Sequence, residues 1–321
     1  MNRSLVWILL LLVLVLSPFF GSAPIHINEL FNYDSLSSKI FFELRLPREL
    51  FAFFAGVILS LSGLLFQTLF RNPLMTPYTL GISSGAVLGA GIAIKLGIAT
   101  IAFGIAAISL FGFIGAMATV ILLIWLSKYL QTSQNQSILL LGIALSLFFT
   151  SALMVIFYLG TSVQNDMLIR FTMGSLSSIG WQNPVIFAVI ATILLIAIYL
   201  YRFELQLLSI SDDNARSKGV NTKKVTVTLL LISSFAIGVM VSISGPIGFV
   251  GLVVPHTVAK LYPSTVNRRI FKTALFGGVF LVLCDMLTRV INTQSELPIG
   301  VITAFIGGPF FIYLIISRSK K

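Results

Sequence analysis

Residues 242–256 read Ser-Ile-Ser-Gly-Pro-Ile-Gly-Phe-Val-Gly-Leu-Val-Val-Pro-His. Three glycines (Gly245, Gly248, Gly251) and two prolines (Pro246, Pro255) punctuate a stretch that is otherwise apolar enough for a membrane helix. Proline lacks a main-chain donor and its ring clashes with the preceding turn, so an undisturbed spanning helix is excluded here. Within a bilayer the freed backbone groups must be satisfied by other protein or by a wet cavity. Breaks of this kind are where a transporter is expected to form its solute path. A shorter echo, Ser60-Leu61-Ser62-Gly63 against Ser242-Ile243-Ser244-Gly245, adds Gly63 to the candidate path residues and suggests two related halves.

The rest of the chain agrees with a membrane reading. Of 321 residues, 57% are hydrophobic and 10% are charged, and the mean hydropathy is +1.02. A soluble domain carries roughly 25% charged residues, so that class is excluded. Ten apolar segments follow one another, approximately 5–21, 50–69, 78–94, 98–126, 138–159, 184–201, 225–243, 249–259, 273–287 and 298–316. The expectation is an all-α polytopic protein with about ten transmembrane helices in a single transmembrane domain, 1–321. The eighth segment is too short to cross alone as a straight helix.

The net charge of +11 is explained by orientation rather than by nucleic acid, because the basic residues occupy short connections between apolar runs. Threading the segments from a cytoplasmic N-terminus puts fifteen Lys and Arg inside and six (Lys39, Arg45, Arg48, Lys95, Arg170, Arg289) outside. Both termini are therefore expected in the cytoplasm of a cell that keeps this protein in its cytoplasmic (inner) membrane. Arg3, the apolar run 5–16 and Gly21-Ser22-Ala23 resemble a cleavable signal, but no charge appears from Ser4 to Asn28, which favours an uncleaved first helix. Glycines at 81, 85 and 89, and Gly56, Ser60 and Gly63, recur at helix spacing and predict close helix packing.

Enzymatic chemistry has no visible basis. No Gly-x-x-x-x-Gly-Lys-Ser/Thr loop occurs, so ATP cannot be hydrolysed by that machinery. His26 and His256 are far apart, Cys284 is the single cysteine, and no metal-ligand cluster is visible. Neither a metal nor another cofactor is expected. An ion-coupled secondary transporter is the rival reading, since Asp285 lies within an apolar run; Arg289 stands one turn further on, where an intrahelical pair neutralises both.

Two further features point to partners. In the connection 203–224, Ser211 or Asp212 can cap a short helix over Asp213 to Lys218, with Arg216 near its negative end and Gly219 as its stop. Such a knob suits a cytosolic partner. On the opposite side, Arg45, Arg48 and Arg289 offer guanidinium groups that can dock carboxylates, or can instead snorkel to the interface.

Taken together the motifs resemble the FecCD family, permease subunits of ABC importers for ferric siderophores, haem and cobalamin. The matching stretches are Arg-Leu-Pro-Arg at 45, Leu-Ser-Gly-Leu-Leu-Phe-Gln from 61, Arg-Asn-Pro-Leu at 71, Leu-Gly-Ile-Ser-Ser-Gly-Ala at 80, Gly-Pro-Ile-Gly-Phe-Val-Gly-Leu-Val-Val-Pro-His at 245 and Glu-Leu-Pro-Ile-Gly at 296. The resemblance implies a type II ABC importer architecture: two permease subunits, identical or paralogous, around a central path, a cytosolic ATPase dimer that uses the ATP, and an extracytoplasmic substrate-binding protein. It implies docking of that protein by Arg45, Arg48 and Arg289. It likewise implies ATPase coupling through Ser211, Asp212, Asp213, Ala215, Arg216 and Gly219, with Ile210-Ser211-Asp212-Asp213 standing where members commonly have Leu-Gly-Asp-Glu. The implied cargo is an iron chelate, a ferric siderophore, with cobalamin or haem as the alternative.

Overall fold

A computed structural model describes residues 3–21, 23, 25–32, 34–98, 106–129, 135–177, 179–291 and 297–319. Ser22, Glu296, Lys320 and Lys321, which entered the expectations above, lie outside the described residues, as do the side chains of Arg3 and Arg318. Regular structure among the described residues is helical: α1 Arg3–Leu16, α2 Leu36–Lys39, α3 Leu46–Leu69, α4 Ile82–Leu96, α5 Ala107–Ser127, α6 Asn135–Leu159, α7 Ser162–Met173, α8 Gln182–Leu200, α9 Arg202–Leu208, α10 Asp212–Ser217, α11 Thr222–Ser244, α12 Val250–Leu261, α13 Val266–Ile291 and α14 Ile299–Ser319.

Each of the ten apolar segments carries a helix among its described residues. Six are long and apolar enough to cross a bilayer, and four shorter apolar helices (Leu10–Phe19, Ile82–Leu96, Val250–Leu261, Ile299–Tyr313) complete the set. The twelve residues of α12 confirm the expected short element. Helix α7 was not foreseen, because a search for apolar runs passes over Ser-Val-Gln-Asn-Asp. It is set by a capping box, Thr161 with Gln164, and the Gln164 Nε2 donates to the carbonyls of Ile94 (3.3 Å) and Lys95 (3.2 Å) at the end of α4.

Helix α3 is the axis of the molecule. Of its apolar window 83% is buried, against 17% for that of α6, so α3 is sheathed by protein while α6 faces outward. It packs on α13, α8, α12 and α11, and α4 with α5 attaches through α11. In lipid, apolar area drives helix association little; close backbone approach does more. Accordingly Gly56 of α3 lies against the backbone of Gly277 of α13, and Gly85 and Gly89 of α4 against Gly115 and Phe111 of α5. The predicted small-residue faces are thus packing surfaces. Phe51 and Phe187 add a ring contact, centroids 4.4 Å apart, between α3 and α8.

The entry to α3 is wound as a π-type turn, Ile40–Arg45, with Pro47 just inside the helix. The helix is continuous through this turn, the Leu46 N–H reaching the Phe41 carbonyl, and the widened winding lies just ahead of a proline that brings no donor. The widened turn brings Arg45 to the inside of the bundle.

Candidate functional site

The punctuated stretch separates α11 from α12. Gly245 adopts φ +69°, which glycine alone reaches without cost, and a Cβ there would collide with the Phe171 carbonyl. The Ser244 carbonyl that α11 leaves unpaired accepts from Ser175 N–H at 2.7 Å. Phe249, at φ +65°, starts α12, and its side chain fills the space over Gly307 of α14. Gly63, Gly245, Pro246, Gly251 and Pro255 are all buried, with Gly248 half-buried. The break is therefore packed in protein, and within this subunit only its Gly248–Phe249 corner is partly open.

Pro255 has a definite partner. Having no N–H, it leaves the Gly251 carbonyl, four residues back, without a helical donor. Gln67 Nε2 of α3 donates to that oxygen at 3.0 Å. Gly63, one turn earlier on α3, lets the two backbones meet there. Gln67→Leu is expected to cost about 1–3 kcal/mol, the penalty of a buried unsatisfied polar group, measured as a loss of thermal stability in detergent; Gln67→Glu, which cannot donate when ionised, should fare no better.

At the other end of α3 the three arginines form an internal knot rather than a display of free charges. Arg45 is buried and donates to the carbonyls of Pro18 (3.1 Å), Phe19 (3.1 Å) and Ala23. Arg289, also buried, donates to the Phe20 carbonyl at 3.2 Å and to Ser17 Oγ at 3.3 Å, and pairs with Asp285 at 3.2 Å. Arg48 holds the same carboxylate through Nε (3.0 Å) and Nη2 (2.9 Å). The expectation of three guanidinium groups standing on the outer face is corrected for Arg45 and Arg289. The 3-10 turn Ser17–Phe19 and the residues Phe20 and Ala23 present carbonyls that these two side chains satisfy. The intrahelical Asp285–Arg289 pair is present as expected. Reading along the chain missed both Arg48 as its second cation and Glu49, a buried carboxyl beside it with one oxygen unpartnered. Arg48, Arg170 and Asp285 then border a cavity of about 410 Å³, with Ser175, Thr288 and Pro298 among its walls.

The opposite end carries the capped knob. Ser211 Oγ accepts from Asn214 N–H at 3.0 Å, so Ser211 is the cap and α10 begins at Asp212, one residue before the expected start. Gly219, at φ +82°, closes it, its N–H bonded to the Arg216 carbonyl at 2.9 Å. Ala215 is buried against the body while Asp213 and Arg216 are exposed. Arg71, just past α3, takes Asp212 in a forked pair (2.9 and 3.2 Å) and donates to the Leu208 carbonyl at 3.1 Å. The Asp212 hydrogen bond raises the Arg71 guanidinium above its ordinary pKa. This pair, 141 residues apart in sequence, was not visible in the sequence, although Arg71 itself falls in a quoted motif.

The profile of the FecCD transport family matches residues 9–317. The chain is 32% identical to the hemin transport system permease HmuU of Yersinia pestis, covering 99% of this chain and 97% of that protein. It is 33% identical to the vitamin B12 import system permease BtuC of Salmonella paratyphi A, again over 99% and 97% of the two chains. Among solved structures it superposes, with a TM-score of 0.82, on one described as an inward-facing conformation of a metal-chelate type ABC transporter, at 27% identity and 96% coverage of each chain.

Proposed function

The chain belongs to the FecCD transport family, as a multi-pass permease of an ABC importer of the metal-chelate, haem and vitamin B12 class, and we propose that its cargo is an iron chelate, a ferric siderophore. It acts with a second permease subunit, a cytosolic ATPase pair that hydrolyses the ATP and an extracytoplasmic binding protein. The knob α10 lies at the cytoplasmic end and the Arg48–Asp285 end lies outside.

One observation carries this reading. A chain of contacts runs from α10 through Arg71–Asp212 to the end of α3, and from α3 through Gly63 and Gln67 into α12. Gln67 and Gly63 stand 4 and 8 residues before Arg71, which lies just past the end of α3. A displacement of α10 by an ATPase is thereby transmitted to the broken segment, while Arg48 and the outer cavity receive the binding protein. In this arrangement Arg45 and Arg289 support the outer surface from within. The ion-coupled alternative requires a carboxylate free to exchange a proton; that of Asp285 is clasped by two arginines.

The test is reconstitution in liposomes with the ATPase and binding protein. Import of a ferric siderophore should require ATP, and import driven by a proton gradient alone overturns the assignment. Haem or cobalamin imported in preference to the siderophore overturns the cargo alone. Arg71→Glu should abolish most ATP-driven import while shifting thermal stability little, since a pair about one-third exposed contributes at most about 1 kcal/mol.

A further inference from the structure

At the α10 end a second cavity, about 460 Å³, opens between α3, α4, α5 and α11. Its walls are mainly apolar, with Leu69, Leu80, Val120, Leu123 and Leu230, and the Ser234 hydroxyl stands at the deep end of the α11 lining. Its rim is basic: Lys128, Arg216 and Lys223 line it and are exposed. Among the described lining residues the one carboxylate, Asp212, is already held by Arg71 at 2.9 Å. From Thr222 to Ser234, the two extremes of the lining on α11, a helix rises about 18 Å. That depth is close to one leaflet, half of the roughly 30 Å hydrocarbon thickness. Helix α5 repeats the gradient in the opposite chain direction, from Val120 inward to Lys128 at the rim.

We propose that this cavity binds an anionic phospholipid of the leaflet on the α10 side, one acyl chain seated along the apolar wall and the phosphate held by Lys128, Arg216 and Lys223. The charge at the mouth excludes a neutral or cationic headgroup as the preferred occupant, and the mainly apolar walls distinguish a lipid from a free anion. Because Arg216 belongs to α10, the bound lipid braces the coupling segment against α5 and α11. The inference rests on the membrane placement of this end and is independent of cargo.

Native mass spectrometry of the purified full chain, titrated with phosphatidylglycerol or phosphatidylcholine, reads occupancy without the ATPase or any cargo. One phosphatidylglycerol should be retained per chain, preferred over phosphatidylcholine by about tenfold. Lys128→Gln with Lys223→Gln should erase the preference. Leu230→Trp, which fills the space between the apolar walls and leaves the charges, should erase retention itself. Equal retention in all three proteins overturns the proposal. So does displacement of the lipid by excess inorganic phosphate, which identifies a simple anion site, or a Leu230→Trp variant that keeps its lipid but no longer associates with the ATPase, which identifies a protein occupant.

Discussion

Asp285→Leu is expected to destabilise the protein by about 3–5 kcal/mol, seen in detergent as a fall in unfolding temperature on the order of 10 °C. The carboxylate is about 1% exposed and pairs with Arg48 at 2.9 Å and Arg289 at 3.2 Å. Removing it leaves two guanidinium groups close together without their shared counter-charge, Arg48 at the cavity wall and Arg289 held only by neutral acceptors. The burial cost of a charge is then uncompensated, and this cost is larger than the attraction lost. Adding Arg48→Leu should recover about half of the loss, because Arg289 keeps the carbonyls of Phe20 and Asp285 as acceptors. A neutral Asp285→Leu would mean that the knot is not structural. Asp285→Asn separates the two transport readings: import per folded molecule should persist, whereas a proton relay would lose all import with the fold intact.

The second large effect is expected at the crossing of α3 and α12. A Cβ on Gly63 would lie within bonding range of the Gly251 carbonyl, and one on Gly251 would lie 2.8 Å from the Leu59 carbonyl. The obstacles are backbone atoms of buried helices, so no rotamer change relieves them, and overpacking costs of about 1–3 kcal/mol are a lower bound. Gly63→Leu should therefore leave little folded permease in the membrane fraction. Gly248→Ala is the contrast within the same motif. Its new Cβ meets nothing closer than Tyr78 Cζ at 3.8 Å, and both accumulation and thermal stability should remain near wild type. Equal tolerance at both positions would show that the glycines serve only backbone flexibility.

The contrast also explains what the motif 245–256 is for. Read alone, its glycines and prolines are equivalent helix breakers. In the folded protein they divide by neighbour: Gly245 turns the chain, Gly251 admits α3, Pro255 frees the carbonyl that Gln67 takes, and Gly248 stays loosely packed. The echo with Ser60–Gly63 does not survive in the same form, since those four residues lie inside unbroken α3 whereas Ser244 ends α11.

The ten apolar helices, the short α12 and the Ser211-capped α10 are local properties. Hydropathy over a span and capping within one turn depend on residues at most a helix length apart, so the chain by itself determined them. The pairs that organise the two ends are of another kind: Arg48 with Asp285 across 237 residues, Gln67 with the Gly251 carbonyl across 184 and Arg71 with Asp212 across 141. Each needs two helices to be packed with a particular rotation and depth, and many arginines and acids in the sequence have the same local surroundings. Only the tertiary structure chose among them, because the desolvation of a charge or a carbonyl is decided by whichever helix covers it.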